Sequence, residues 1–189
     1  MSHLTAVIDA CVLRPLPIAD LLLRTAESGL YRARWSAEIQ DEWARSVVRD
    51  RPAIDRTRLD ARNAAMNRAL PDACIAGYEH FIDAIDLPDP KDRHVVAAAR
   101  RAHAQVIVTY NLRDFPADTL NRFGLHAQHP DSFLRHLIDL EPAVVASASR
   151  QIIAALTRPP ISLHQFLASL EKLALPKSAA ALRELFAVP

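Results

Sequence analysis

The chain of 189 residues carries 23 basic and 22 acidic side chains, and half of its residues are hydrophobic. This length and balance are typical of a globular protein with one core and a helical appendage, and the net charge gives no indication of a polyanionic partner. Two cysteines exclude a disulfide framework or a thiolate metal cluster, and no apolar run approaches the ~18 residues of a membrane span. We therefore expect a cytoplasmic protein with no membrane partner.

The first predicted element is a short strand that ends in an acid. Residues 4–8 form an apolar, β-branched run, and Asp9 follows it directly. Ligands bind at the carboxyl ends of strands in open α/β sheets, so Asp9 is a candidate site residue. The alternative is an acid that only caps a turn or a helix. A helix over residues 18–26 follows, and Gly29 is expected to end it.

The next predicted element is a helix over residues 37–50, preceded by a serine that caps it. Glu38 and Glu42 are one turn apart on this helix and share a face, where two like charges repel. Either the face is solvated and pairs with Arg45 or Arg49, or the two carboxylates lie near a cation. The helix alone favours the first interpretation.

A polar, arginine-rich helix is predicted over residues 54–70. Nine arginines against six acids fall between Arg32 and Arg68. A basic face of this kind is suited to a phosphate backbone, although an arginine-rich genome would produce the same composition.

The segment over residues 87–116 places further acids at the edge of a sheet. Asp92 lies in the first turn of a helix that begins near Pro90, where the helix dipole favours a carboxylate. The apolar run at residues 106–108 is the most strand-like in the chain. It is followed by three polar residues, namely Thr109, Asn111 and Asp114.

From Pro130 onward the pattern becomes helical throughout. Apolar residues recur at three- and four-residue spacing in four segments, separated by prolines, at residues 132–140, 143–156, 163–173 and 179–186. We therefore predict an α/β domain over residues 1–129 and an all-helical extension over residues 130–189. His126 and His129 flank a predicted loop between the two.

The residue types at these positions favour metal chemistry. Asp9, Glu42, Asp92 and Asp114 offer four hard oxygen ligands of the kind that Mg²⁺ and Mn²⁺ prefer. Together with the arginines they indicate a metal-assisted phosphodiester hydrolase. Three glycines leave no Gly-rich phosphate loop. Cys11 has no identifiable activating base, so a buried small residue is favoured over a nucleophile.

Four segments carry a family resemblance. They read Val-Ile-Asp-Ala-Cys-Val at residues 7–12, Glu38 to Trp43, Asp-Pro-Lys-Asp-Arg-His-Val-Val-Ala-Ala-Ala at residues 89–99 and Ile-Val-Thr-Tyr-Asn-Leu-Arg-Asp-Phe at residues 107–115. In this order they resemble the PIN-domain nucleases, and most closely the VapC-like toxins of type II toxin–antitoxin systems. The resemblance covers about residues 4–128, and the segment from residue 130 resembles the helical C-terminal extension of some members.

This resemblance implies a three-layer α/β/α fold with a central parallel sheet, and an endoribonuclease that depends on Mg²⁺ or Mn²⁺. It implies an RNA substrate such as tRNA or rRNA, a cognate antitoxin and a homodimer. By the same resemblance the metal ligands are Asp9, Glu42, Asp92 and Asp114, with Glu38 as a competitor for Glu42. Asp89 matches an outer-shell acid, and Thr109 and Asn111 match polar positions beside the catalytic water.

Two positions depart from the family pattern. Cys11 stands where relatives usually carry Asn, which puts the hydrogen bond from that position in question, and Lys91 stands where an acid is frequent. Two other functions stay open. One is a PIN-type nuclease for RNA processing or DNA that is not a toxin, and the other is a non-catalytic module that binds nucleic acid or protein.

Overall fold

The computed structural model describes residues 4–187. In chain order the elements are β1 (Thr5–Ile8), α1 (Ala10–Leu13), α2 (Leu16–Glu27), β2 (Arg32–Ser36), α3 (Ala37–Asp50), α4 (Arg56–Ala69), β3 (Cys74–Ile75), α5 (Arg93–Arg101), β4 (Val106–Val108), α6 (Ala117–Asn121), β5 (His126–Gln128), α7 (Pro130–Leu140), α8 (Pro142–Ala155), α9 (Leu163–Lys172) and α10 (Pro176–Ala187). Short 3₁₀ turns lie at Glu79–Ala84, Pro90–Asp92 and Leu112–Asp114.

The described strands form one parallel sheet of five strands in the order β3-β2-β1-β4-β5. The chain runs from β1 outward to β3 and then crosses to β4 on the other side of β1. The strand order therefore reverses between β1 and β4, which is the position at which open α/β sheets bind ligands.

The two central strands are buried along their whole length, which explains their uninterrupted apolar sequences. Helix α5 packs on β1, β2 and β4, and residues 95–99 of this helix are all buried. The valines and alanines of this run allow the helix axis to lie close to the sheet. Helix α3 packs on β2, and α6 packs on β5. The structure thus confirms the predicted α/β fold with a central parallel sheet and helices around it.

The chain divides into two compact units. The first comprises residues 4–14 and Tyr31–His129 and holds the sheet, whereas the second comprises Pro15–Leu30 with residues 130–187. Within the second unit, the buried carboxylate of Asp131 accepts hydrogen bonds from the backbone N–H groups of Lys177 and Ser178, which ties the start of α7 to the start of α10. The predicted domain division at residue 130 stays a prediction. No helix among the described residues has both the length and the apolar character needed to cross a bilayer.

The helices of the sequence prediction are present, with shifts of a few residues at their ends, and α3 has the predicted bounds. Its cap is also as predicted, since the Ser36 hydroxyl accepts the Ile39 N–H at 3.1 Å. Gly29 adopts a positive φ of 80° just after α2, a conformation that glycine adopts without strain.

Two strands of the sheet, β2 and the edge strand β5, differ from the prediction. The predicted loop at residues 126–129 is wrong, because residues 126–128 pair with β4 as the edge strand β5. β2 was not predicted, although the alternation of Arg32 and Arg34 with Ala33 and Trp35 is the pattern of a half-buried strand. Both strands form because a neighbouring strand offers its backbone, an effect that lies outside their own sequences.

Helix α4 is held mainly by polar contacts. Leu59 and Met66 are its buried side chains. The Asn67 carbonyl oxygen accepts the Trp35 Nε1–H at 2.8 Å and the Gln40 amide at 3.1 Å, and the Asn67 amide donates to Gln40 Oε1 at 3.2 Å. This network fixes α4 against β2 and α3 without an apolar stripe on the helix.

Replacing Asn67 with alanine tests this network. The change leaves the indole N–H of the fully buried Trp35 without its acceptor, and an unsatisfied buried donor costs about 2 kcal/mol. We expect the free energy of unfolding in urea to fall by about that amount. Arg68→Ala, at an exposed position on the same helix, is the control and should change it by less than about 0.5 kcal/mol. Equal effects of the two substitutions would contradict this account of α4.

Candidate functional site

Asp9 and Thr109 lie side by side at the carboxyl edge of the sheet. Each follows a central strand, and the pairing of Ile8 with Val108 aligns the two strand ends. The Asp9 backbone N–H donates to the Val108 carbonyl at 3.1 Å, and the Thr109 hydroxyl donates to Asp9 Oδ2 at 2.6 Å. Both side chains are buried. The strand register therefore sets the position of the Asp9 carboxylate.

Two further donors hold the same carboxylate. The Ala10 N–H donates to Asp9 Oδ1 at 2.6 Å, so Asp9 does cap α1, and the Cys11 thiol donates to Oδ2 at 3.1 Å. Burial raises the pKa of Asp9, although the hydrogen bonds from Thr109, Cys11 and Ala10 act in the opposite direction. Position 11 therefore donates a hydrogen bond to the site even though it carries Cys where relatives usually carry Asn. Burial and the Asp9 charge also raise the pKa of the Cys11 thiol, which makes it a poor nucleophile.

Asp92 is the point at which the other acids converge. Its pKa is raised to about 7, first by burial and then by the negative charges of Asp9, Asp89, Asp114 and Glu42. Like charges raise a carboxyl pKa in this way only when they are close, since solvent screens distant charges. The structure therefore brings together four sequence-predicted acids and the predicted outer acid Asp89 in one negative region.

The two helix glutamates have different surroundings. Glu38 Oε2 accepts the Tyr78 hydroxyl at 3.1 Å and lies 3.7 Å from His94 Nδ1. Glu42 Oε2 lies 3.3 Å from His94 Nε2. Glu42 acts on the pKa of both Asp9 and Asp92, whereas Glu38 is absent from the charges that act on either carboxyl. Of the two glutamates, Glu42 is thus the one whose charge acts on Asp9 and Asp92.

The interpretation in which Glu38 and Glu42 pair with Arg45 or Arg49 on a solvated helix face is wrong in the partners that it names. Arg45 pairs with Asp41 at 2.8 Å, and Arg49 lies 3.6 Å from Asp50. The arginines of α3 are thus engaged by aspartates of the same helix.

The remaining predicted residues lie at the rim. Asn111 is exposed, and its backbone N–H donates to the Thr109 hydroxyl oxygen at 3.0 Å. Asp89 accepts the Lys91 N–H at 2.9 Å and so caps the 3₁₀ turn that presents Asp92. Asp114 ends the turn at Leu112–Asp114 and is half-buried. These contacts place polar backbone and side-chain groups around the acids.

Sequence reasoning missed the role of His94 as a neighbour of both glutamates. This histidine is 4% exposed and lies on α5 two positions after Asp92. The sequence signal that could have identified His94 was its position in the Asp-Arg-His segment, directly after Asp92 and Arg93. Burial lowers the pKa of His94, but the close polar contact with Glu42 and the charges of Glu42, Glu38 and Asp9 outweigh burial and raise it. Tyr78, by contrast, carries no signal in the sequence, since its contact with Glu38 spans forty residues.

The donor set fits a hard divalent cation. Carboxylate oxygens are the ligands that Mg²⁺ and Mn²⁺ prefer, and the negative charges of four acids contribute to the raised pKa of Asp92. Over residues 4–187, no group of three or more His, Cys, Asp or Glu side chains lies at ready metal-binding geometry. The negative charges of the acids thus act on one another, although their side chains do not form a coordination shell.

The local arginine excess is partly structural. Arg56 pairs with Asp41 at 2.6 Å and with Asp60 at 2.9 Å. The Arg62 guanidinium lies 4.4 Å above the Trp43 ring. The exposed Arg58 and Arg68 remain as basic positions on α4.

The repulsion at Asp92 predicts a pH-dependent effect of Asp92→Asn on stability. With a folded pKa of about 7 against an ordinary value of 3.8, Asp92 contributes stability at low pH that is lost as the pH rises through 7. In the presence of EDTA, Asp92→Asn should therefore have a higher melting temperature than the parent protein at pH 8, and the gap should narrow toward pH 5. Asp72→Asn, an exposed position before the amino end of β3, should show no such gap. A gap that is constant with pH would contradict the assignment.

Comparison with known proteins gives results for both parts of the chain. A model of the PIN domain matches residues 5–113, and a model of the VapC50 C-terminal domain matches residues 130–184. A protein of Mycobacterium tuberculosis named "Putative ribonuclease VapC50" is 39% identical over 135 residues, which covers 71% of this chain and 78% of the relative. No solved structure matches the chain. With its parallel sheet, its convergent acids and these matches, the chain belongs to the PIN-domain family, in the VapC-like group that carries the C-terminal extension.

Proposed function

We propose that the protein is an endoribonuclease that depends on Mg²⁺ or Mn²⁺ and hydrolyses RNA phosphodiester bonds at a site of four carboxylates. The proposal is supported by the buried Asp9 carboxylate beside Thr109 at the strand ends, together with the negative charges of Asp9, Asp114 and Glu42, which raise the pKa of Asp92. A cluster of repelling acids at the switch point of a parallel sheet is costly for folding alone. A divalent cation that binds there offsets the cost.

The ligands in this proposal are Asp9, Glu42, Asp92 and Asp114, with Asp89 as outer-shell support. When bound, the cation supplies Lewis-acid activation of water and neutralises charge on the scissile phosphate. Glu42 is chosen over Glu38 because its charge acts on Asp9 and Asp92, whereas Glu38 is hydrogen-bonded to Tyr78.

The surrounding groups orient the ligands. The Thr109 hydroxyl and the Cys11 thiol donate to Asp9 Oδ2, so the free lone pairs of this buried carboxylate face a defined direction. Asn111 is exposed beside Thr109 and is placed to bind water or substrate. Lys91 is exposed at the turn before Asp92 and adds a positive charge to the rim, which favours approach of a polyanion.

The reaction is a hydrolysis. The oxygen of water forms a bond to phosphorus, the bond from phosphorus to one ribose oxygen breaks, and the proton released by water goes to that leaving oxygen. Structured RNAs such as tRNA and rRNA are the substrates we propose. By analogy with the VapC-like group, we propose that the protein is the toxin of a type II toxin–antitoxin pair and that it acts as a homodimer.

Purified protein is expected to cleave total tRNA or rRNA when Mn²⁺ or Mg²⁺ is added and to stop when EDTA is added. Asp9→Asn and Asp92→Asn each remove a proposed ligand and should lower the rate by at least about 100-fold, measured by gel analysis of end-labelled RNA. Asp72→Asn serves as the matched control and should cleave at the parent rate. Cleavage that survives EDTA, or survives both site substitutions, would refute metal-dependent hydrolysis at these acids.

Expression in a bacterial host separates a toxin from a nuclease with another role. We expect growth arrest on induction of the parent protein and normal growth with Asp9→Asn at equal protein level. Co-expression of the small protein encoded beside this gene should restore growth and co-purify with the parent protein. Cleavage in vitro without growth arrest would instead support a PIN-type nuclease for RNA processing or DNA. The absence of both cleavage and growth arrest would support a non-catalytic binding module.

A further inference from the structure

His94 is a buried polar residue whose ring nitrogens both face carboxylates. Its Nε2 lies 3.3 Å from Glu42 Oε2 and its Nδ1 lies 3.7 Å from Glu38 Oε2. Neither nitrogen has a hydrogen-bond partner among the described residues. Buried polar atoms without partners are rare in folded proteins, so an orphaned pair beside two acids calls for an explanation.

The surroundings of the ring constrain its motion. His94 begins a run of buried residues on α5, and this run packs on the sheet. The Glu42 side chain, by comparison, is 29% exposed and so is less confined by its neighbours than the His94 ring. The rigid partner in this contact is therefore the imidazole, and the adjustable partner is the glutamate.

Resting on the proposed function, we propose that His94 is a positioning residue whose Nε2–H donates a hydrogen bond to Glu42 and directs that carboxylate to the metal site. A side-chain rotation of Glu42 brings its oxygen from the observed 3.3 Å to hydrogen-bond geometry. The bond fixes one carboxylate oxygen and leaves the other for the cation.

The same arrangement separates the roles of the two glutamates. The Tyr78 hydroxyl holds Glu38 at 3.1 Å, on the Nδ1 side of the imidazole. His94 therefore lies between a glutamate held by tyrosine and a glutamate whose charge acts on Asp9 and Asp92. Groups that orient metal ligands in this way typically contribute 10–100-fold to metal affinity.

Paired substitutions at position 94 test the proposal, because glutamine places an amide nitrogen near the former Nε2 whereas asparagine places one near the former Nδ1. Binding of Mn²⁺ is measured by electron paramagnetic resonance of the free ion, and the melting temperature is measured in EDTA. We expect His94→Asn to weaken Mn²⁺ binding by about 10-fold or more and His94→Gln to keep it within about 3-fold of the parent value. Both variants should lose similar thermal stability, as both remove the same buried ring.

A role in packing alone would move the melting temperature of both variants but leave their Mn²⁺ affinities equal, and that result overturns the proposal. Asp72→Asn, at an exposed position outside the acid cluster, is the control and should leave Mn²⁺ affinity unchanged. Parent protein that binds no Mn²⁺, or binds it as well after Asp9→Asn, refutes the metal site itself and with it the role of His94. Failure of the proposed metal site and failure of the proposed role of His94 therefore give different results.

The parent protein provides a second measurement that needs no substitution at position 94. Long-range ¹H–¹⁵N correlation spectra report which ring nitrogen carries hydrogen. Hydrogen on Nε2 supports donation to Glu42, whether or not Nδ1 is also protonated. A neutral ring with its hydrogen on Nδ1 overturns the proposal, because Nε2 then has nothing to donate.

Discussion

The parallel pairing of β1 with β4 is the interaction on which the rest of the site depends. It places Asp9 and Thr109 at adjacent strand ends and allows the hydroxyl of one to bond the carboxylate of the other. A helix between two parallel strands runs antiparallel to them, so its first turn lies at the carboxyl edge of the sheet. This geometry brings the start of α5, with Asp92, to the same edge. It also brings the first half of α3, which carries Glu42.

Gathering acids at one edge has an electrostatic cost that local structure offsets only in part. Asp9 caps α1 and Asp92 occupies the N-cap position of α5, where helix dipoles favour negative charge. Burial and mutual repulsion nevertheless outweigh these contributions, since the pKa of each of the two carboxyl groups is raised. A fold selected for stability alone would place neutral residues here. The cost of gathering the acids is consistent with the metal site proposed for this edge, because a cation would offset the repulsion.

The sequence contains enough information for the centre of this fold and less for its flanks. β1 and β4 are marked by uninterrupted apolar residues, and α3 is marked by a serine cap and a regular apolar spacing, so each was predictable from local pattern. β2 and β5 carry arginine, histidine and glutamine in place of such runs, and their strand conformation comes from pairing with neighbours. β2 does alternate polar and apolar residues from Arg32 to Trp35, which is a local signal for a half-buried strand, whereas β5 carries no such pattern and depends on its pairing with β4.

The candidate site shows the same division between local and tertiary information. The acids at strand ends and helix starts were predictable because their element positions alone bring them to one edge. Glu38 and Glu42 were not separable, because residues one turn apart face the same side of a helix. What separates them is contact with Tyr78 and His94, both of which lie forty residues or more after Glu38 in the sequence. The two glutamates are thus distinguished by tertiary contacts, Glu38 by the Tyr78 hydroxyl and Glu42 by the Nε2 side of the buried His94 ring, which local sequence pattern does not contain.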